Sequence, residues 1–382
     1  MERTSKTRFK NLILNLLVAL FKTKSLQESK TETKRFLIVS TTGLGDSLWA
    51  TPALRALKER YPHSHVGLLT SELGAQVLKG LSLIDEFFVL KGSSFLSFLK
   101  LYPSLKKKKF DTILLFHASQ RLAIPICALL NPKKFIATAG LNKGLDHLLT
   151  YAVEKKPVHE IERRLDIVKE VGAVNSQPFL ELSISKDDQR YVENYLRELS
   201  LPPYLPLVGI HPGAKDRFKQ WDPECYTELG KRLQGHLGCQ IFVTGNFIEK
   251  HLVQSIAEKI PHAIPLYGRL SIHQIAALIQ KMSIMITNDT GPMHLAFAVQ
   301  TPTVALFSAT DPKLCGPHLA NHVKVIHKKP TCSPCLKKKC RQPFCLLQIS
   351  PDEVFERALE LYYKKENYER SPSAPPPSYL YR

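Results

Sequence analysis

The feature that most limits the fold of this chain is an alternation that occurs twice. From Arg35 it runs through "RFLIVS" (35–40), "VGLLT" (66–70), "FFVL" (87–90), "DTILLF" (111–116) and "KFIAT" (134–138), each an almost unbroken apolar stretch. Helical stretches lie between them: Ala53 to Arg60, Phe95 to Leu105 and Arg121 to Leu130. Strands this apolar need cover on both faces, and the intervening helices can supply it, which predicts a parallel, doubly wound sheet. Helices from about Ile161 to Gly172 and from Lys186 to Leu199 close the first half.

"LPPYLP" (201–206) interrupts the pattern and reads as a linker. The alternation then resumes with strands "LVGIH" (207–211), "QIFVTG" (240–245), "SIMITN" (283–288), "TPTVALF" (301–307) and "HVKVIH" (322–327). Helices at Pro223 to Leu237, Ile248 to Lys259, Ile272 to Lys281 and Pro292 to Ala298 fill the gaps. A chain of 382 residues is too long for one ordinary core, so two α/β domains in tandem are expected, 34–200 and 207–349. A final helix, 350–367, has Ser350 as N-cap, Pro351 at the first position and Glu353 positioned to complete a capping box. The tail 368–382, "SPSAPPPSYLYR" at its end, reads as disordered.

Fifty-three basic residues against 34 acidic give a net charge of +19, which suits nucleic acid, an anionic membrane or a phosphorylated substrate. No interleaved aromatic and basic strand pattern and no recognition-helix motif accompanies the charge, so nucleic acid is not the expected partner. The runs Lys106 to Lys109 and Lys337 to Lys339 read as solvated loops. Within 1–33, the stretch 8–24 ("RFKNLILNLLVALFKTK") is too short to span a bilayer but has basic flanks and a broad apolar face. It reads either as a peripheral anchor on an anionic surface or as a packing helix, and no cleavage site of a signal peptide follows it.

Eight cysteines do not make a disulfide scaffold in a chain of this size. Cys127, Cys225, Cys239 and Cys315 read as buried thiols. Cys332, Cys335, Cys340 and Cys345 are clustered and are candidates for a structural zinc site, with reduced thiols or redox use as alternatives.

Ligands of open α/β sheets bind beyond the carboxyl ends of the strands, and four motifs fall there. In "NDTGPMHLA", Gly291 permits a turn, Pro292 suits the first helical position and Thr290 brings a hydroxyl, as an anion site or an ordinary capped helix. Asp289 there would repel phosphate and fits better as an orienting group. "HPGAKDRFKQW" adds Lys215, Arg217 and Lys219, a diphosphate grip or a solvated basic loop, with Trp221 as core and Asp222-Pro223 as helix cap. Glu249, four after Gly245, suits ribose hydroxyls or a helix dipole. No Asp-x-Asp pair is present to hold a divalent ion on a diphosphate, so lysines and helix amides are left to carry that charge. The fourth motif, "TTGLGDSLWATP", carries a carboxylate, Asp46, which is either an N-cap or a proton acceptor for an attacking hydroxyl. Pro52 argues against one long helix from Ser47.

Four blocks, "GLGDSLWATPALRALKERYP", "HPGAKDRFKQW", "NDTGPMHLAFAVQTPTVALF" and "CSPCLKKKCRQPFCLLQISPDEV", together resemble glycosyltransferase family 9, the ADP-heptose:lipopolysaccharide heptosyltransferases. The resemblance runs from about Arg35 to Lys365 with the blocks in the family's order. It implies a GT-B fold, two Rossmann-like domains around a cleft, with an acceptor domain first and a nucleotide-sugar donor domain second. It also implies inversion at the anomeric carbon and catalysis without a metal cofactor. Gly45, Asp46 and Pro52 match the family's first block, making Asp46 the base on an active-site loop with Gly43, Gly45 and Thr51. Lys219, with Lys215, and Asp289, Thr290, Gly291, Pro292, Met293 and His294 fall at the donor diphosphate, and Glu249 at the nucleoside. Heptosyltransferases of the core-initiating type often carry Thr-Thr where this chain has Ala214 and Lys215, which bears on donor and acceptor identity. The partners implied are ADP-heptose and a lipid A–core oligosaccharide at the cytoplasmic face of the inner membrane. The last helix is expected to return to the first domain. A catalytically inactive nucleotide-sugar binder, or a member using another sugar, is the alternative.

Overall fold

The computed structural model describes residues 34–92, 95–174, 177–330, 332, 340 and 344–369. The stretch 8–24, Cys335 and the residues beyond 369 lie outside them. The chain forms two compact units that meet between Ser183 and Ile184.

In the first unit the strands are β1 (Arg35–Ser40), β2 (His65–Ser71), β3 (Glu86–Leu90), β4 (Thr112–His117), β5 (Lys134–Thr138) and β6 (Tyr151–Val153). They are ordered β3-β2-β1-β4-β5-β6, every neighbouring pair parallel. The chain starts at the centre, winds outward to β3, then returns to lay β4 beside β1, with Phe36 opposite Val66 on one side and Thr112 on the other. Leu37, Val39, Leu69, Ile113 and Leu115 form one face of the sheet's core together with Phe98 from the Phe95–Lys107 helix.

The second unit repeats the winding. Its strands are β7 (Leu207–His211), β8 (Gln240–Gly245), β9 (Ile264–Tyr267), β10 (Ile284–Asn288), β11 (Thr303–Phe307) and β12 (Val323–His327). The order β12-β11-β10-β7-β8-β9 is again wholly parallel, with the reversal of direction falling between β7 and β10. Val208, Ile210, Ile284, Ile286 and Trp221 lie in its core. In both sheets the strand-order switch opens a site beyond two adjacent carboxyl ends.

Several expectations need correction. The boundary precedes the proline-rich segment, because the Lys186–Glu198 helix packs on the Ile272–Lys281 helix and Glu193 pairs with Lys281 at 3.0 Å. The last helix, Pro351–Glu369, extends past 367, and Val354, Ala358 and Leu361 are buried in the second core. Ser350 Oγ accepts from the Glu353 N–H at 3.2 Å as expected, while the Glu353 carboxylate pairs with Lys328 at 2.9 Å. Lys106 and Lys107 form the last turn of a helix, not a loop. Cys127 and Cys239 are buried, which raises each thiol to about 12, but Cys225 and Cys315 are only half-buried. Among the described residues no group of three or more His, Cys, Asp or Glu could hold a metal ion. Among them, too, no helix is long and apolar enough to cross a membrane.

Candidate active site

At the switch point of the first sheet, the turn after β1 is tied to both neighbouring strands. The Thr41 N–H donates to the His117 carbonyl at 3.1 Å and Ser71 Oγ donates to the Thr42 carbonyl at 2.8 Å. A short helix, Leu44–Leu48, follows, and a second, Thr51–Arg60, starts with Pro52 in its first turn, so the proline divides the segment. Gly43 is the N-cap of the short helix, with an extended ψ and φ −78°, and no side chain caps it. A Cβ built on Gly43 meets no atom within 4 Å, so the unit's own packing does not demand glycine there.

Asp46 therefore caps nothing. Its Oδ1 accepts from Arg164 Nη2 at 3.1 Å, and its side chain stays 27% exposed while Arg164 is wholly buried. Arg164 lies on the Glu160–Lys169 helix, on the same buried face as Ile161, Leu165 and Val168. Its Nη1 donates to the Glu160 carbonyl and to Glu160 Oε2, both at 2.8 Å, and the guanidinium lies 5.5 Å over the Trp49 ring. His159 caps that helix, its Nδ1 accepting from the Ile161 N–H at 3.1 Å. One buried cation thus joins two carboxylates on separate helices.

His117, at the end of β4, is surface-exposed, yet neighbouring atoms crowd its ring enough to lower its pKa, and the Asp46 carboxylate opposes that shift. Lys143 is also lowered, by burial and by the Arg121 guanidinium, and its ammonium donates to the Ser119 carbonyl. Thr51 departs from the expected loop role. It is fully buried, donates to the Leu48 carbonyl at 2.8 Å and accepts from the Glu181 N–H at 2.9 Å.

The second site is organised by Asn288, a buried residue at the end of β10. Its amide donates to the Pro212 carbonyl at 2.8 Å, and its Oδ1 accepts from Tyr226 Oη at 2.9 Å and the Trp221 N–H at 3.2 Å. This fixes the Pro212–Gln220 loop against the strand that carries Asp289. Lys219 Nζ donates to Asp289 Oδ2 at 2.5 Å, and Thr310 Oγ1 donates to the same oxygen. Asp289 is thus paired with a lysine and a threonine, and Lys219 is no loose surface charge.

The Gly291–Ala298 helix begins at Thr290, with Pro292 in its first turn and no side-chain cap. Thr290 is therefore the N-cap residue by position, with its hydroxyl making no capping hydrogen bond. Met293 and His294 are buried, His294 packing edge-on against Phe297 at 5.7 Å, so their side chains belong to the core. Lys215 is exposed on the loop.

Glu249 belongs to a turn whose cap is Asn246, and its Oε2 accepts from the Asn246 N–H at 2.9 Å. That position puts its carboxylate against Gly213, where an added Cβ would come within 2.2 Å of Oε1. Glu249 thus meets the lysine loop although 36 residues separate it from Gly213 in the chain. Buried His211, whose Nδ1 lies 3.0 Å from Thr244 Oγ1, is pushed down to about 4 by burial.

The structure brings Lys219, Asp289 and the start at Thr290 together, and Glu249 to the adjoining loop; Asp46 stands in the other unit. Sequence reasoning missed Arg164, Asn288 and Thr310. Arg164 did carry a signal, a cation at apolar helical spacing beside Ile161, Leu165 and Val168.

A family model described as glycosyltransferase family 9 (heptosyltransferase) matches residues 98–345. Lipooligosaccharide heptosyltransferase 2 of Campylobacter jejuni is 24% identical over 328 residues, covering 84% of this chain and 96% of its own. The crystal structure of a family 9 glycosyl transferase from Veillonella parvula superposes with a TM-score of 0.75 at 20% identity, over 87% of this chain and 97% of its own. The ADP-heptose lipopolysaccharide heptosyltransferase II of Escherichia coli superposes with a TM-score of 0.71 at 20% identity, over 87% and 99%. These likenesses identify the two-unit α/β architecture as the GT-B fold.

Proposed function

The chain belongs to glycosyltransferase family 9, and from that premise we propose that it transfers heptose from ADP-heptose to a lipid-linked, phosphorylated core saccharide, with inversion at the anomeric carbon. The relatives' names support heptose transfer in lipopolysaccharide synthesis, and the residues at the two sites support the finer chemistry.

Asp46 is the base. As the acceptor oxygen attacks C1 from the face opposite ADP, its proton passes to the carboxylate, the C1–oxygen bond to the diphosphate breaks, and ADP leaves. Arg164 fixes the rotamer of that carboxylate, and the open space beside Gly43 gives a saccharide room to approach. His117 and Lys143, the latter beside the Arg121 guanidinium, line the rim that an anionic acceptor would approach.

In the second unit Lys219 and the start of the Gly291–Ala298 helix meet the charge growing on the leaving diphosphate. Donor binding exchanges the Asp289 carboxylate for a phosphate oxygen on the Lys219 ammonium, and Thr310 keeps Asp289 in place. Glu249 takes the ribose hydroxyls beside Gly213. This grip uses lysine and backbone amides, so the reaction we describe has no step through a divalent ion.

The observation that carries the reading is a partly exposed carboxylate on the short helix that follows β1, oriented by a buried arginine. Incubation with ADP-heptose and a lipid A–core acceptor tests it. ADP release matched by heptosylated product of inverted configuration is expected; nucleotide binding without product would leave a binder and no transferase.

A further inference from the structure

The Phe95–Lys107 helix has an outer face that the reaction does not use. Phe98 and Leu105, each 1% exposed, set its inner face in the first core, and Tyr102 Oη donates to the Leu129 carbonyl at 3.2 Å. At 100° per residue, Leu96, Leu99 and Pro103 fall on the opposite side. Leu96 is 66% exposed and Leu99 47%, and Pro103 is exposed beside them. Leucines on a helix of a packed unit are ordinarily turned inward, so two neighbours facing water form an apolar ridge with no cover inside this unit.

The charge around the ridge has one sign. Residues 91–110 contain six lysines and no acidic residue. Lys108 is held by Glu86 at 2.7 Å, while Lys91, Lys100, Lys106, Lys107 and Lys109 are exposed. Lys100 and Lys107 flank the ridge on one side of the helix and Lys106 on the other.

We propose that this face docks the enzyme on an anionic lipid bilayer. The leucines enter the boundary between headgroups and acyl chains, and the lysines extend along their own stems to lipid phosphates. The cations favour this occupant over the alternatives. All are lysines, point charges suited to a diffuse anionic surface, and residues 91–110 contain no arginine to supply a planar fork. The ridge itself is two leucines and a proline, enough for shallow insertion and small for a stable protein interface. The lipid-linked acceptor proposed above gives such docking a purpose.

Sedimentation of the full chain with vesicles tests this directly. Binding to phosphatidylethanolamine–phosphatidylglycerol vesicles is expected, with little to phosphatidylcholine alone and loss as salt rises. The double variant Leu96→Ser/Leu99→Ser and the triple variant Lys100→Gln/Lys106→Gln/Lys107→Gln should each reduce the partition coefficient at least roughly tenfold, with an unchanged thermal unfolding transition as the control for folding. Tryptophan emission from Leu96→Trp should shift to the blue on adding anionic vesicles. Wild-type partition by both variants, with no shift from Leu96→Trp, would overturn the proposal and hand the face to a protein partner or the membrane contact to residues 8–24. The assay involves no sugar transfer, so its failure and the failure of the proposed reaction are separate results.

Discussion

Arg164 Nη2 lies 3.1 Å from Asp46 Oδ1 while Nη1 of the same guanidinium holds Glu160, so the carboxylate on the helix after β1 is aimed by a residue 118 positions away. A planar fork can hold both carboxylates in fixed directions, and a lysine ammonium cannot. Arg164→Lys should therefore lower kcat by about 10²-fold or more, with a smaller change in the KM for donor and a displaced pH profile. Steady-state kinetics measure this. Equal effects on kcat and on the KM for donor would indicate general loosening of the fold instead.

Gly213 and Glu249 supply a second prediction, because an added methyl would occupy the place of the carboxylate. Gly213→Ala should push Glu249 off the Asn246 N–H and weaken ADP binding about tenfold, as should Glu249→Ala, and the double variant should be no worse than either single one. Calorimetric titration with ADP reads all three. Additive losses would mean that the two residues act independently.

His211 makes stability depend on pH. Its folded pKa of about 4 lies below the ordinary 6.5, so between these values the unfolded chain binds a proton that the folded chain does not. The contribution is complete above about 6.5 and is lost as pH falls toward about 4, up to about 3 kcal/mol. His322, also lowered to about 4 by burial, adds to the same slope. Urea unfolding at a series of pH values should show stability falling through this window, and His211→Gln should flatten the fall.

Much of the fold was legible because both sheets are parallel and covered on each face, which writes their strands as apolar runs. The strands that escaped, β6 and β9, are short edge strands, and β9 contains Pro265, which an edge tolerates and a pattern search rejects. Asp46, Lys219 and Asp289 could be nominated because they follow strand ends at a switch point. Their partners could not, since Arg164 and Thr310 arrive through long-range packing, and "ERRLD" reads locally as surface charge. The proline-rich segment resembles a linker in composition, but packing of the Lys186–Glu198 helix placed the division earlier.

Asp46→Asn measured for transfer and for ADP binding in the same preparation tests the central claim most directly. The side chain keeps its size and its oxygen toward Arg164 but cannot take a proton, so transfer should fall by about 10²-fold or more with ADP affinity unchanged. Undiminished transfer would contradict a base at this position, and loss of ADP binding would place Asp46 with the donor.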